Sequence, residues 1–182
     1  RASREKVAGL VEEINRGGCE NPQVEQLLRE LAKRLSQVKG KKVYGYLRPD
    51  LKALVSQIVE ELAKDEHIAT LYDLWYQDKQ AARNVYDERP LQRVPLSENP
   101  DFKPVRNAVI RAAVELDVEQ RQTQNQNYAP PLLTMATRLL RQVGQIFRQQ
   151  FQIDPPVARL VDAKLRRKIA EKKLAHGQKL EM

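Results

Sequence analysis

Residues 50–62, DLKALVSQIVEEL, decide the fold class of this chain. Apolar side chains recur in this stretch at every third or fourth position, which places them along one face of an α-helix. These side chains are Leu51, Leu54, Val55, Ile58, Val59 and Leu62. The stretch therefore predicts an amphipathic helix that packs its apolar face into a core and leaves its polar face to solvent.

Two more helices are predicted upstream of this stretch. Residues 3–16 carry apolar side chains at helical spacing, and the two glycines at 17–18 end that helix. Asn21 followed by Pro22 is typical of a helix N-cap and first turn, and another apolar stripe runs from there to about residue 38. Because only a few residues join the two helices, we expect them to pack antiparallel.

The chain downstream of this stretch is also predicted to be helical. Asp65 can cap a fourth helix, whereas the four prolines in residues 88–104 predict an extended segment that crosses the surface. Helical spacing returns at 105–116. Residues 118–131 are rich in Gln and Asn and predict a flexible linker, after which residues 132–151 form an amphipathic helix.

The whole pattern predicts an all-α protein in two parts. A helical accessory domain, built as a bundle, covers residues 1–117, and the linker covers 118–131. Residues 132–182 hold the amphipathic helix and a basic C-terminal helix, which together form a tethered arm. No strand pair and no repeat of fixed period is recognisable in the sequence.

Positive charge is the main compositional feature of the chain. It has 32 Lys and Arg against 24 Asp and Glu, a formal net charge of +8, and much of the excess lies in residues 155–182. Such an asymmetry favours a polyanionic partner, because lysines and arginines that meet phosphates release condensed counterions. The alternative is that these charges only solvate the outer face of a helix.

The sequence offers no recognisable catalytic or metal-binding constellation. His67 and His176 lie far apart and outside any metal-ligand motif, and Cys19 has no base placed beside it by sequence. A single cysteine, the lack of a leader and the lack of a membrane-length apolar run predict a cytoplasmic protein without membrane contact. The first residue is Arg1 rather than Met, as expected for a piece of a longer polypeptide.

A basic and aromatic loop is the first candidate DNA-binding feature. Its lysines and arginine can neutralise phosphates, and its tyrosine rings can stack on unpaired bases. The candidate residues are Lys39, Lys41, Lys42, Tyr44, Tyr46 and Arg48. The alternative is that Tyr44 and Leu47 plug the core between two helices while the lysines keep the loop solvated.

The basic C-terminal helix is the second candidate. It could lie along DNA through backbone contacts, which would give affinity without sequence readout. Its candidate residues are Lys164, Arg166, Arg167, Lys168, Lys172 and Lys173. A solvated helix face explains the same residues equally well.

Several segments, read in order, resemble the C-terminal half of MobL-like relaxases of the MobP class, which process plasmid and integrative-element DNA for conjugative transfer. The matching segments are 40–47 (GKKVYGYL), 54–62 (LVSQIVEEL), 95–97 (PLS), 102–107 (FKPVRN), 161–168 (VDAKLRRK) and 171–173 (EKK). Their order and spacing persist over almost the whole chain, and the Gln/Asn-rich linker matches least.

The resemblance implies a DNA-nicking reaction in which a tyrosine attacks a phosphodiester and a divalent metal, held by a histidine cluster, polarises the phosphate. In the family these groups belong to a catalytic domain N-terminal to the region resembled here. No catalytic residue and no cofactor is therefore assigned to this chain. The implied partners are origin-of-transfer DNA, the catalytic domain and relaxosome accessory proteins.

Two other functions remain open at the level of sequence. In the first, the chain is a non-enzymatic protein-interaction module, and the amphipathic helix over 132–151 docks a partner helix. In the second, the chain is a self-sufficient nuclease, which a metal-dependent nicking assay would detect.

Overall fold

The computed structural model describes residues 4–17, 21–37, 48–83, 89–125, 127–128, 134–152 and 167. Within these ranges the chain forms six α-helices and two short 3₁₀ turns, and no strand is present there. The helices are α1 (Arg4–Gly17), α2 (Pro22–Ser36), α3 (Pro49–Ala63), α4 (Glu66–Ala81), α5 (Lys103–Thr123) and α6 (Met135–Gln150). The predicted all-α fold is confirmed.

Local sequence signals set the starts of α2 and α4 as predicted. The side chain of Asn21 accepts a hydrogen bond from Val24 N at 3.2 Å at the start of α2. Asp65 Oδ1 accepts hydrogen bonds from His67 N at 2.9 Å and Ile68 N at 3.1 Å at the start of α4. Such caps pair backbone N–H groups that would otherwise lack a partner. The residues at the start of α2 and of α4 therefore largely determine where each of these helices begins.

Helix α6 lies at the centre of the bundle. It contacts α1, α2, α4 and α5. Its side chains Leu139, Val143 and Phe147 are fully buried. Eight of its sixteen residues are buried, seven are partly buried and Gln149 is exposed. The helix is thus an internal element that four other helices cover.

The structure changes the domain boundary predicted from the sequence. Helix α5 continues to Thr123, so the first residues of the predicted linker 118–131 are helical. Helix α6, assigned by the sequence to a separate arm, belongs to the same compact unit as α1–α5, and the chain divides between Phe151 and Gln152. The physical reason is burial, because α6 presents a wide apolar surface that the other helices enclose. The second unit begins at Gln152, and of its basic helix the structure describes Arg167, in a helical conformation and exposed.

The proline-rich segment differs from its prediction in one respect. Residues 89–95 are irregular as expected, but two 3₁₀ turns follow at Leu96–Glu98 and Pro100–Phe102. Leu96 is 1% exposed and Phe102 is fully buried. The segment therefore inserts two large apolar side chains into the core instead of only crossing the surface.

One end of the bundle, here called the Ser36 end, brings together the termini of four helices. Arg121 Nη2, in the last turn of α5, donates a hydrogen bond to Ser36 O at 3.5 Å. Arg34 near the end of α2 lies 3.9 Å from Asp50 at the start of α3. Arg138 in the first turn of α6 lies 3.7 Å from Glu119. At the opposite end, the side chain of Gln150 donates to Asp101 O at 2.7 Å.

Helices α1 and α6 pack against each other, and Gly144 of α6 faces Ile14 of α1. A Cβ atom at this position would lie 3.4 Å from Ile14 Cδ1 and 3.5 Å from Ile14 Cγ2, which is ordinary van der Waals contact. Gly9, in α1, has no heavy atom within 4 Å of the equivalent position. The two glycines therefore form a matched pair, one packed and one open.

Substitution of these glycines should distinguish the effect of helix propensity on stability from the effect of packing between α1 and α6. We expect Gly144→Ala and Gly9→Ala each to raise the free energy of unfolding by up to about 1 kcal/mol, because alanine favours the helix over glycine. Gly144→Leu should lower it by about 1–3 kcal/mol by displacing Ile14, whereas Gly9→Leu should not. Urea denaturation of the four variants measures these differences. Equal behaviour of the two leucine variants would contradict the described α1–α6 contact.

None of the described helices has the length and apolarity needed to cross a membrane.

Candidate nucleic-acid interface

Most of the residues predicted to bind DNA lie outside the residues that the structure describes. Ten of the twelve candidates are not described, five in the basic loop and five in the basic helix. They are Lys39, Lys41, Lys42, Tyr44, Tyr46, Lys164, Arg166, Lys168, Lys172 and Lys173. Arg48 and Arg167 are described, and both are exposed. The two candidate features therefore remain predictions, with Arg48 as the point where the first one joins the described bundle.

Arg48 directly precedes α3 at the Ser36 end. Its Nη2 donates a hydrogen bond to Asp50 Oδ2 at 3.3 Å, and Arg34 Nη1 lies 3.9 Å from the same oxygen. All three side chains are about half exposed. Asp50 thus contacts two guanidinium groups, of which Arg34 is also hydrogen-bonded to Glu30. Because exposed ion pairs are weak, Arg48 can exchange Asp50 for a phosphate.

A polar groove of about 560 Å³ runs between α2 and α5. Among the residues that the structure describes, its walls carry cationic, acidic, amide and hydroxyl side chains and no aliphatic or aromatic side chain. The lining residues are Gln26, Arg29, Glu30, Lys33, Ser36, Asp117, Gln120, Arg121, Gln124 and Asn127. We call this feature the α2–α5 groove. The sequence did not predict it, because its two walls are about ninety positions apart and residues 118–131 were expected to form a linker.

The carboxylates of the α2–α5 groove are both neutralised by arginines. Glu30 accepts hydrogen bonds from Arg34 Nη2 at 2.9 Å and from Arg34 Nε at 3.2 Å. Asp117 Oδ2 lies 3.0 Å from Arg121 Nη2. Lys33 is exposed and has no ion-pair partner among the described residues. The groove therefore carries an excess of positive charge.

Amide side chains supply most of the remaining polar lining. Gln26, Gln124 and Asn127 are exposed, and each can donate two N–H groups to an oxygen acceptor. Gln124 follows α5 in the left-handed conformation, with φ of 55°, and this residue ends the helix. Arg29 Nη1 donates to Tyr128 O at 3.0 Å, which ties the segment after α5 to α2.

Two of the tyrosines serve the fold. Tyr72, in α4, donates its hydroxyl to Val94 O at 2.8 Å and accepts from Asn99 Nδ2 at 3.0 Å. Tyr76 accepts from Val94 N at 2.7 Å. Burial, followed by the hydrogen bond with Tyr76, raises the pKa of Tyr72 well above its ordinary value. These hydroxyls hold the proline-rich segment against α4, and Tyr72 is a poor nucleophile at neutral pH.

The described residues do not fit the divalent metal that a nicking reaction would use. His67 Nε2 lies 3.0 Å from Glu13 Oε2, and His67 Nδ1 lies 3.7 Å from Asp65 Oδ1. This histidine joins α1 to α4. Within the ranges that the structure covers, no group of three or more His, Cys, Asp or Glu is placed to hold a metal ion.

The comparisons with known proteins gave one result. The family model of MobL relaxases matches residues 1–150, which includes all six helices of the first unit. Comparison with curated proteins gave no significant match, and neither did comparison with solved structures.

Proposed function

Since the chain belongs to the MobL relaxase family, and thus has a relaxase-related role in conjugative mobilisation, we propose that it is the C-terminal accessory region of a relaxase of the MobP class. It holds origin-of-transfer DNA, and relaxosome proteins where they are present. A catalytic domain elsewhere in the parent protein supplies the tyrosine and the divalent metal that cleave the strand.

The observation that carries the proposal is the family match over residues 1–150, joined to a net charge of +8. A relaxase must keep a polyanionic strand in place during cleavage and transfer. Positive charge on rigid helices meets that need, since phosphate contacts position DNA without reading its sequence. The unshared positive charge of Lys33 and the Arg34–Asp50–Arg48 cluster support the same role in the first unit.

The geometry of Tyr72 and Tyr76 supports an accessory rather than a cleaving role for these two residues. The hydroxyls of Tyr72 and Tyr76 are both hydrogen-bonded to the backbone of Val94. Among the described residues, no cluster of metal ligands lies beside either hydroxyl. Assigning cleavage to another domain of the parent protein is consistent with both observations.

The protein-interaction alternative loses its proposed docking face. That alternative needs the apolar face of the helix over 132–151 to be available for a partner. In the structure this face is covered by α1, α2, α4 and α5, so a partner could reach it only by opening the bundle.

The proposal predicts DNA binding that is strongly salt-dependent and mostly non-specific. The logarithm of the association constant should fall linearly with the logarithm of the salt concentration, with a slope of about −0.9 for each phosphate contacted. For six contacts the affinity should drop roughly a thousandfold between 50 and 200 mM salt. Gel-shift or fluorescence-anisotropy titration of the full chain, with origin-of-transfer and scrambled duplexes of equal length, measures this slope.

The scrambled duplex is the control in this titration, and the titration can also contradict the proposal. Scrambled duplex should bind almost as tightly as origin-of-transfer duplex, because backbone contacts carry no sequence information. Charge reversal at Arg166, Arg167 and Lys168 should weaken binding if the basic helix takes part. No binding to either duplex at low salt would remove the DNA-holding role.

A further inference from the structure

We propose that the α2–α5 groove binds the phosphodiester backbone of DNA, an inference that rests on the DNA-binding role proposed above and gives it a location in the first unit. The bound group is the phosphate–sugar strand itself. Base edges and unpaired bases are not recognised there.

The charge arrangement favours an anion over a neutral or cationic ligand. Each groove carboxylate is held by an arginine, Glu30 by Arg34 and Asp117 by Arg121. The ammonium of Lys33 has no such partner among the described residues, although it is exposed on the same wall. An incoming phosphate therefore meets a lysine that does not have to leave an existing ion pair, so no protein–protein ion pair is broken when the contact forms.

The neutral part of the lining can also contact the backbone. The amides Gln26, Gln120, Gln124 and Asn127 line the groove, and amide N–H groups commonly donate to phosphate oxygens. None of the groove-lining residues that the structure describes is aromatic, so no described side chain there could stack on an unpaired base. Because stacking supplies much of the affinity for single strands, the groove suits a phosphate ridge and predicts little sequence preference.

The position of the groove connects it with the first candidate loop. Its α2 wall ends at Ser36, at the Ser36 end of the bundle. The ion-paired cluster of Arg34, Asp50 and Arg48 lies at the same end. A backbone strand in the groove would thus leave it beside Arg48, the one residue of the predicted basic loop that the structure describes.

A pair of matched double variants tests the assignment. The groove variant carries Lys33→Glu and Gln26→Glu, and the control variant carries Lys103→Glu and Gln149→Glu. All four residues are exposed, and both variants change the net charge by the same amount. Lys103 and Gln149 lie at the start of α5 and the end of α6, at the end of the bundle opposite Ser36. Urea denaturation of each variant first checks that the fold is kept.

The expected result is a difference between the two variants at equal net charge. The groove variant should bind duplex DNA about tenfold more weakly than the control, and its salt dependence should be less steep by about one phosphate contact. Equal losses in the two variants, with wild-type binding intact, would overturn the groove assignment while leaving the DNA-holding role in place.

Two other outcomes are informative in a different way. Failure of the wild-type chain to bind duplex at low salt would overturn both proposals together. A labelled polyglutamate peptide serves as the probe for an acidic protein segment. If the groove variant loses this peptide and keeps wild-type duplex binding, the groove accommodates an acidic polypeptide and the DNA assignment is wrong.

Discussion

A chain that ends at residue 131 is expected to lose cooperative unfolding, whereas a chain that ends at residue 152 is expected to keep it. The shorter chain lacks α6, whose side chains Leu139, Leu140, Val143 and Phe147 are at most 4% exposed. Burial of each contributes about 1.5–3 kcal/mol, so their loss approaches the 5–15 kcal/mol by which whole domains are typically stable. Removal would also uncover the apolar faces of α1, α2, α4 and α5.

Urea denaturation followed by far-ultraviolet circular dichroism distinguishes the two truncated chains. The chain ending at 152 should show a single sigmoidal transition close to that of the 182-residue chain. The chain ending at 131 should show a broad, sloping change and should bind a dye that reports exposed apolar surface. A sharp, full-amplitude transition for the shorter chain would mean that α6 is an appended arm, as the sequence alone suggested.

Replacement of Phe147 by alanine is expected to lower the free energy of unfolding by about 3–5 kcal/mol. Phe147 is fully buried, and its ring centroid lies 4.7 Å from that of Phe102 and 6.1 Å from that of Tyr72. The substitution leaves a cavity among rings that come from three separate elements, and rigid helices cannot close it. Aromatic pairs of this geometry add stabilisation beyond the area that they bury.

The control for this variant is Val118→Ala on the exposed side of α5. Val118 is 45% exposed, and its truncation should change stability by less than about 0.5 kcal/mol. Phe147→Leu should fall between the two, because it refills part of the cavity. Equilibrium urea denaturation of the three variants gives the order. A Phe147→Ala cost below that of Phe147→Leu would contradict the described core.

The part of the fold that the sequence predicted is the part governed by neighbouring residues. The starts of α2 and α4 depend on caps contained within a few positions, such as Asn21 and Asp65. The apolar period of α3 identifies its buried face without knowledge of the partner helix. The unpaired backbone N–H and C=O groups at a helix end find hydrogen-bond partners within a few residues, so nearby sequence is enough to predict where the helix begins.

The part that the sequence did not predict depends on contacts between distant residues. Phe102 breaks no helical pattern and follows two prolines, yet it lies at the centre of an aromatic cluster with Tyr72 and Trp75. Gln and Asn after residue 117 suggested a linker, but α5 continues because its earlier turns pack on α2, α3 and α6. Tertiary packing thus overrides composition there.

The candidate interface shows the same division. Charge density along the chain indicated where positive residues cluster, and of the basic loop the structure describes Arg48, which is exposed. Prediction of the α2–α5 groove would have required knowing that these two helices pack together and that Glu30 and Asp117 are paired with arginines. A count of charges cannot reveal which carboxylates are already engaged. The signal that could have pointed to it is the run of amides at 120–127, interpreted as a helix end.

The central position of α6 also has a consequence for biosynthesis. A ribosome releases α1 long before α6, although the two helices pack side by side through Ile14 and Gly144. Contacts between residues so far apart in sequence form slowly. The apolar surfaces of the nascent α1–α5 segment therefore stay exposed until α6 is available to cover them. Chaperones that shield emerging chains should therefore engage this protein until residue 150 has left the ribosomal exit tunnel, and a ribosome stalled earlier should hold an incomplete, protease-sensitive bundle.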